Sequence, residues 1–249
     1  MLWIDKGEPP SEFRNAVPAA LADARLGTAP SGKTPFELLP SSAKQKLKES
    51  LLKEQGYLCA YCMRGIDAAT MRVEHWHPQS DGETGARLSV QYSNMLACCP
   101  GGEETGAAPK DQTCDKRKGD RFITVNPTSR SDIGTVFYQR DGVIKSTNHA
   151  IQHDLGEPDE TGDGGTLSPL GLNNKQLIRN RLAVWGPISS KLRHIHGKNE
   201  KIRFCRSMLK RYVGPDKESD SKGSGHRKPY ASIVVFFLTK ELRSYGESV

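Results

Sequence analysis

Two groups of residues with chemically active side chains share the segment 59–119. One group contains only cysteines, which bind a structural metal ion as thiolates. The other combines a Glu–His pair, an asparagine and an aspartate, which can hold a hard cation and accept a proton. The members are Cys59, Cys62, Cys99 and Cys114 in the first group, and Glu74, His75, Asn94 and Asp115 in the second. Together they indicate hydrolysis of a phosphodiester bond on a metal-stabilised scaffold.

The cysteine spacing predicts a structural zinc site. Cys59-Ala-Tyr-Cys62 presents two sulfur atoms on one turn, and zinc needs two further ligands from later in the chain. Cys114 is one candidate, while Cys98 and Cys99 compete for the other position because adjacent side chains of an extended segment point in opposite directions. We favour Cys99, since a Pro-Gly-Gly turn follows it. The alternative is a set of ordinary free thiols, and the fourteen residues before Cys114 exceed the usual short second spacing.

The Glu–His pair predicts a general base beside a cation site. A neutral imidazole titrates near working pH, so His75 can deprotonate a water molecule. Glu74 and Asp115 offer carboxylate oxygens to Mg²⁺ or Mn²⁺, which would stabilise charge at the phosphate. Glu74 and His75 face opposite ways in a regular strand, so both reach one site only if the strand ends or bulges near Pro78. The alternatives are a surface pair or a core histidine, and His77 is another candidate base or ligand.

Basic residues around Asp115 are candidates for binding phosphates. They are Lys116, Arg117, Lys118 and Arg121. A second basic cluster lies between Lys191 and Arg211, where a solvated helix face, a nucleic-acid contact and a docking site for an acidic protein remain alternatives. The net charge of +7 also favours a polyanionic partner. We expect this partner to be nucleic acid and favour DNA over RNA, although no motif reads a 2′-hydroxyl group.

The composition argues against secreted and membrane-spanning classes. Six cysteines among 249 residues are too few for a disulfide-dense secreted scaffold. No charged-then-apolar leader opens the sequence, and the longest apolar run, Ile233 to Leu238, is far shorter than the roughly 18 residues that a membrane span needs. We therefore expect a cytoplasmic protein with no membrane partner.

Three regions would position the chemically active residues. Residues 1–56 are Pro-rich and extended up to about residue 40, and a lead-in helix follows. Residues 57–122 are predicted to form the zinc-stabilised core, with short strands, a long loop and a helix. Residues 123–249 are predicted to be mostly helical.

Several local patterns refine the third region. Asp141-Gly142 between apolar runs predicts a hairpin turn, and Gly186-Pro187 predicts a kink or an end in a long helix. The polar segment 214–228 predicts a flexible linker. The final apolar segment from Ile233 suits either a helix or a strand.

These motifs resemble the HNH endonuclease superfamily and, more narrowly, the HNH nuclease subunit of Septu-type and retron-linked anti-phage defence systems. The motifs are Cys59-Ala-Tyr-Cys62-Met-Arg64, Val73-Glu-His-Trp-His-Pro-Gln-Ser80, Tyr92-Ser-Asn-Met-Leu-Ala97, Cys99-Pro-Gly-Gly102 and Cys114-Asp-Lys-Arg-Lys-Gly119. Weaker agreement continues through Asn126-Pro127, Val136-Phe-Tyr138 and the segment 170–177. The likeness covers most of the chain and is densest from 57 to 121.

The resemblance implies an α+β protein with a ββα-metal (HNH) core and a structural zinc knuckle. An N-terminal helical or extended segment and a mostly helical C-terminal region would flank this core. His75 is implied as the general base, Glu74 and Asp115 as ligands of the catalytic cation, and Asn94 as the structural asparagine. An ATPase subunit is implied as the partner in defence.

Two departures from the broader superfamily concern the metal ligands. Glu74 replaces the commoner aspartate before the histidine, and Asp115 stands where asparagine or histidine is usual. A carboxylate at either position still binds a hard cation. The alternative function is a zinc-stabilised module that binds nucleic acid or an ATPase without cutting.

Overall fold

The computed structural model describes residues 1–26, 32–161, 167–214 and 225–248. Helices and short strands alternate along these ranges, and one cluster of buried hydrophobic residues draws members from the beginning, middle and end of the chain. The helices are α1 (Ser11–Leu26), α2 (Pro35–Leu38), α3 (Ser41–Glu54), α4 (Gly82–Leu88), α5 (Cys114–Lys118), α6 (Arg130–Gly134), α7 (His149–Leu155), α8 (Lys175–His194), α9 (Lys198–Val213) and α10 (Ala231–Ser244). The strands are β1 (Arg72–His75), β2 (Met95–Cys98), β3 (Val136–Tyr138) and β4 (Ile144–Ser146). The fold is therefore α+β.

Strands β1 and β2 form an antiparallel pair that carries the Glu–His pair at one end. Glu74 lies opposite Leu96, and His75 lies opposite Met95. Every residue of β2 is buried, and α3 packs against this strand. The chain then reaches α5, so the order β1, β2, α5 fits the ββα core that the resemblance implies.

The expectation of little regular structure before residue 40 is wrong for residues 11–26 and 35–38, which form α1 and α2. Helix α1 keeps Pro18 in its interior, although a proline there removes one backbone hydrogen bond. Phe13 and Ala20, two helical turns apart, are buried, and α1 packs against α3. Burial of this helix face outweighs the unfavourable proline.

The hairpin predicted at Asp141-Gly142 is confirmed, because β3 and β4 pair in antiparallel fashion on either side of this turn. Helix α8 does not end at Pro187 but continues to His194. Its buried residues flank the proline on both sides, and α8 packs against α10. The segment from Ile233 is helical, which decides between the two predicted alternatives. Among the described residues, no helix combines the length and the apolar character needed to cross a membrane.

Part of the predicted linker 214–228 packs against the region before the first cysteine pair. Residues 215–224 of this linker lie outside the described residues. At its end, the Arg227 amide donates to the Gly56 carbonyl oxygen at 3.0 Å. The His226 ring stacks on the Tyr57 ring with 3.6 Å between their centroids. These contacts attach the chain before α10 to the end of α3.

Candidate active site and cysteine cluster

Four cysteine side chains meet in a buried cluster. The sulfur atoms of Cys59, Cys62, Cys99 and Cys114 lie within 4.8 Å of one another, and those of Cys62 and Cys99 are 3.7 Å apart. Four sulfur atoms around a zinc ion at about 2.3 Å, in a tetrahedron, stand about 3.8 Å from one another. The structure brings Cys99 into this group, whereas Cys98 is buried outside it. The cluster can therefore hold a structural metal ion such as zinc.

Cys99 and Cys114 come together because the backbone after Cys99 and the backbone before Cys114 lie in contact. The Thr113 amide donates to the Gly101 carbonyl oxygen at 2.9 Å and closes the loop beside both cysteines. Gly101 has a φ of +63°, and a Cβ atom there would lie 1.9 Å from the Thr113 carbonyl oxygen. Only glycine permits this approach. The Cys114 amide also donates to the Leu170 carbonyl oxygen at 3.0 Å, which fixes the start of α5.

The acid–histidine residues line a polar cavity of about 290 Å³ beside α5. Its lining consists of Arg72, Val73, Glu74, His75, Pro78, Gln79, Asp115, Lys116, Lys118, Gly119 and Asp120. Glu74 and His75 both reach it because β1 ends at His75, so the alternation of a longer strand does not separate them. Asp115 arrives from the first turn of α5. The structure thus gathers Glu74, His75 and Asp115 at one cavity, while Asn94 lies outside its lining.

Buried carboxyl groups and a buried ammonium group set the electrostatics of this cavity. Glu74 Oε1 accepts hydrogen bonds from the Tyr61 hydroxyl at 3.1 Å and from Lys118 Nζ at 2.9 Å. The Glu74 carboxyl group is also within hydrogen-bonding reach of Asp115. Burial raises the pKa of Glu74 to about 8, Lys118 opposes this increase, and Asp115 adds to it. Lys118 pairs with Glu74 and Arg72 approaches Asp115 at 3.5 Å, and the carboxylate oxygens of the two acids are ligands that suit a divalent cation.

His75 is held as a neutral imidazole with one free nitrogen. Nε2 lies 2.9 Å from the Ser89 carbonyl oxygen, and a carbonyl only accepts, so Nε2 carries the proton and Nδ1 keeps its lone pair. Burial lowers the pKa of His75 to about 4, although the bond to Ser89 opposes this decrease. The Phe36 ring meets the imidazole edge-on at 4.9 Å between centroids. These contacts orient His75 to accept a proton at Nδ1.

Asn94 fixes the backbone around the Glu–His pair. Its Oδ1 accepts from the His77 amide at 2.7 Å, and its Nδ2 donates to the carbonyl oxygens of His77 and Leu88, both at 3.1 Å. Leu88 directly precedes Ser89, whose carbonyl oxygen orients His75. The geometry therefore suits the indirect role predicted for Asn94, in which its amide bridges the loop backbone and fixes the orientation of His75.

His77 lies outside the lining of the cavity. Its Nε2 is 2.7 Å from Asp81 Oδ2, and its ring meets the Phe122 ring edge-on at 5.1 Å between centroids. Phe122 is 61% exposed, more than any other large hydrophobic residue in the described part of the chain. This position suits a role in the loop after β1 better than a role as base.

Three of the four basic residues predicted to bind phosphates turn inward. Lys118 is 2% exposed and Arg117 is 8% exposed. Interior carboxylate or carbonyl oxygens occupy the donor atoms of both, and Arg121 also donates to backbone carbonyl oxygens. The prediction of a phosphate clamp is thus corrected for Arg117 and Lys118, because α5 packs their side chains into the interior. Arg121 follows α5 and is half-buried, and backbone carbonyl oxygens, including that of Leu167, accept from its guanidinium group. Lys116 alone among the four remains exposed at the cavity.

The structure shows that two cationic residues pair with the proposed metal ligands, which the sequence did not predict: Arg72 approaches Asp115, and Lys118 pairs with Glu74. Arg72 Nη1 lies 3.5 Å from Asp115 Oδ2 at the cavity wall. Arg72 precedes Glu74 by two positions in β1, and this spacing, which puts both on one strand face, is the signal that could have found it. Lys118 follows Asp115 by three positions in α5, which places both on one helix face.

Comparison with known proteins relates this chain to endonucleases of retrons. The chain is 29% identical over 141 residues to a Vibrio cholerae serotype O1 biovar El Tor protein named "Retron Vc95 putative HNH endonuclease", and the match covers 54% of this chain and 60% of that protein. It is 35% identical over 81 residues to an Escherichia coli protein named "Retron Ec83 putative HNH endonuclease", with 30% and 31% covered. No protein-family model matches the chain.

The two matches confirm the resemblance to HNH endonucleases of retron-linked systems. The matches span less than two thirds of the length of either relative. The names of these relatives indicate a nuclease, without specifying its substrate or its role. The Septu likeness stays a prediction from the motifs.

Proposed function

We propose that this protein is a metal-dependent HNH endonuclease and the effector nuclease of a bacterial anti-phage defence system. The observation that carries this proposal is the meeting of His75, Glu74 and Asp115 at one polar cavity. The names of the two retron relatives support it. The substrate would be nucleic acid, with DNA favoured, and an ATPase subunit would be the partner. The nucleic-acid assignment rests on the net charge and the motifs, and the ATPase assignment rests on the resemblance of the motifs.

His75 would act as the general base. Its Nδ1 would accept a proton from a water molecule, and the resulting hydroxide would attack the phosphorus opposite the leaving oxygen. The Ser89 carbonyl oxygen keeps the ring oriented during this transfer, because it holds Nε2–H at 2.9 Å. The charge of Asp115, which raises the pKa of His75 against the effect of burial, would stabilise the imidazolium that forms. The expected products carry 5′-phosphate and 3′-hydroxyl ends.

Glu74 and Asp115 would hold Mg²⁺ or Mn²⁺, which would supply charge stabilisation at the phosphate and the leaving oxygen. Tyr61 and Lys118 both donate to Glu74 Oε1, so this carboxyl group is held in place before a ligand arrives. Lys118 also donates to the His75 carbonyl oxygen at 2.9 Å. One buried ammonium group therefore connects the proposed metal ligand to the backbone of the proposed base.

The cysteine cluster would hold a structural zinc ion. Its ligands come from the turn 59–62, from the residue after β2 and from the first residue of α5. A zinc ion would tie these segments together next to the cavity. The position of Asp115, directly after the ligand Cys114, would then depend on the metal.

The test of this proposal compares two histidines that lie two positions apart. Purified protein, alone and with a candidate ATPase partner, is incubated with supercoiled plasmid DNA and with RNA in Mg²⁺ or Mn²⁺. His75→Ala should slow cleavage by about 10²–10⁴-fold because the general base is lost. His77→Ala is the matched control, since His77 lies outside the cavity lining, and it should cut within about tenfold of the unaltered protein.

Circular dichroism and thermal melting must show that both variants are folded. Undiminished cutting by His75→Ala would contradict the assignment of the base. Tight binding without cutting of any nucleic acid, indifferent to both substitutions, would favour the non-catalytic binding module.

A further inference from the structure

Two cationic side chains of the cavity wall pair with the same carboxylate, and this carboxylate lies outside the cavity lining. Arg72 Nη2 pairs with Glu103 Oε2, and Lys116 Nζ lies 2.9 Å from Glu103 Oε1. Arg72 and Lys116 line the cavity, whereas Glu103 does not. The two oxygens of a single carboxylate thus pair with both exposed cations at this opening.

Glu103 belongs to the long loop between Cys99 and Cys114. Gly101 and Thr113 close the base of this loop, so the cysteine cluster is assembled without the residues farther out. Glu103 begins a 3₁₀ turn in that outer part. The outer part of the loop therefore places a carboxylate at the cavity rim. The cysteines do not need this part of the loop to bind a metal ion.

The contact also sets the charge that an approaching polyanion meets. Glu74, Asp115 and Asp120 contribute carboxyl groups to the cavity lining, and Lys118 is buried against Glu74. While Glu103 pairs with the two exposed cations, its charge offsets half of theirs, and Asp115 lies 3.5 Å from Arg72. The two positive charges then face two carboxylates of the protein. A phosphate approaching this state is repelled by the acids.

We propose that Arg72 and Lys116 form a subsite for a backbone phosphate of nucleic acid, and that Glu103 occupies this subsite until the phosphate displaces it. This inference rests on the proposed nuclease function. A phosphate offers the same paired anionic oxygens as a carboxylate and binds a guanidinium group in the same way. Arg72 also approaches Asp115 at 3.5 Å, so the bound phosphate would lie next to the proposed cation site.

These ion pairs are exposed to solvent, which allows a phosphate to replace the Glu103 carboxylate. The side chains of Arg72, Lys116 and Glu103 are 44%, 37% and 37% exposed. Exposed ion pairs contribute little to stability, so a phosphate can replace Glu103 at small cost. The pair between Lys118 and Glu74, with side chains only 1% and 5% exposed, would resist the same exchange.

The neighbouring carboxylate provides a matched control. Glu104 is 42% exposed and pairs with Arg64 at 3.1 Å, and Arg64 is not part of the cavity lining. Glu103→Gln and Glu104→Gln change the net charge equally. Both are made in the His75→Ala background, and binding to a fluorescein-labelled DNA duplex is followed by anisotropy at low salt. Glu103→Gln should tighten the Kd about 3–10-fold, whereas Glu104→Gln should change it less than about twofold.

A second comparison tests the cations. Arg72→Gln and Lys116→Gln should each weaken binding about 3–10-fold, while Arg64→Gln should change the Kd less than about twofold. In the Arg72→Gln/Lys116→Gln double variant, Glu103→Gln should no longer tighten binding, because the subsite that it uncovers is gone. If Arg72→Gln lowers the melting temperature, Lys116→Gln alone carries this comparison.

Equal tightening by Glu103→Gln and Glu104→Gln would overturn the inference, since only net charge would matter. Tightening by Glu103→Gln that persists without both cations would overturn it as well. Cleavage is measured separately with His75 intact. Absence of cutting in every variant would contradict the nuclease proposal, while the difference in binding between the two glutamates would still report on the subsite.

Discussion

The cysteine cluster and the acid–histidine cavity flank the same short helix, α5, and adjacent residues of that helix serve them. Cys114 turns into the cluster, and Asp115 reaches the cavity. The four clustered cysteines are at most 3% exposed, whereas the Asp115 side chain is 19% exposed. One centre is closed to solvent, and the other is open to it.

The two centres also differ in how their charged groups affect the stability of the fold. Four thiolates can surround one metal ion and leave no open coordination position, which is the arrangement of structural zinc sites. At the cavity, burial and the charge of Asp115 raise the pKa of Glu74 to about 8, so ionising Glu74 there is unfavourable until a cation binds. We infer that the first centre stabilises the fold and that the second is maintained at the expense of stability.

The largest loss of stability should come from removing a cysteine of the closed centre. Cys59→Ser removes one proposed zinc ligand, and structural zinc contributes about 10–16 kcal/mol of apparent binding free energy in small zinc domains. We expect this variant to lose both its bound zinc and its folded core. Thermal melting followed by circular dichroism, together with the zinc content by mass spectrometry, checks this outcome.

Cys205→Ser is the control for this experiment, because Cys205 is equally buried but lies in α9, outside the cluster. It should keep its zinc and lose only about 1–3 kcal/mol of stability. A Cys59→Ser protein that is soluble, fully folded and free of metal would remove the stabilising role assigned to the closed centre.

A smaller effect on stability, with a large effect on chemistry, is expected at the open centre. Asp115→Asn keeps the shape of the side chain but removes a charge that contacts Glu74. We expect the cleavage rate in Mg²⁺ to fall about 10²–10³-fold, while the free energy of unfolding changes by less than about 1 kcal/mol. Cleavage assays and urea unfolding of the same preparation measure both quantities.

Asp120→Asn is the matched substitution, since Asp120 is an exposed carboxylate on the lining of the same cavity. It should leave the cleavage rate within about tenfold of the unaltered protein. Unfolding of Asp115→Asn at ordinary temperature would mean that the open centre also supports the fold, and the contrast between the two centres would fail.

The sequence identified the chemically active residues better than their surroundings. Cysteine spacing and the Glu–His pair are local patterns, and their members do meet in the structure. In the sequence, the preference for Cys99 over Cys98 depends only on the Pro-Gly-Gly turn that follows, and the close approach of Gly101 and Thr113 supplies its physical reason. That approach depends on packing between distant segments, which spacing alone does not encode.

The direction of charged side chains was the least predictable feature. A run of basic residues reads as a solvent-facing surface, yet Arg117 and Lys118 are buried because partners arrive from β1 and from residues near 168. Glu103 carried no signal of its own, since its role depends on where the loop folds. Helix α1 is not predicted locally, because Pro18 inside it and Pro9-Pro10 just before it outweigh its apolar spacing.

The smallest expected effect is the part of the pH dependence of stability that Glu74 contributes. The pKa of Glu74 is raised from 4.5 to about 8, so its favourable contribution is complete below pH 4.5 and is lost as the pH rises towards 8. The pKa of His75 is lowered from 6.5 to about 4, so its contribution grows between pH 4 and 6.5 and then stays constant. Outside the open centre, burial lowers the pKa of the Met1 amino group from 8.0 to about 4, so its contribution grows up to pH 8 and opposes the loss from Glu74.

Between pH 6.5 and 8, without Mg²⁺ and with zinc retained, we therefore expect the free energy of unfolding of the unaltered protein to fall by about 2 kcal/mol relative to that of Glu74→Gln. Urea unfolding of both proteins at both pH values measures this difference. Glu74→Gln is the reference because its amide does not titrate but still accepts from Lys118, and it keeps the opposing contribution of Met1. Saturating Mg²⁺ should reduce the relative fall, because a cation bound at Glu74 favours its ionised form. The same pH dependence in both proteins would place its origin outside Glu74 and would remove the energetic contrast between the closed and the open centre.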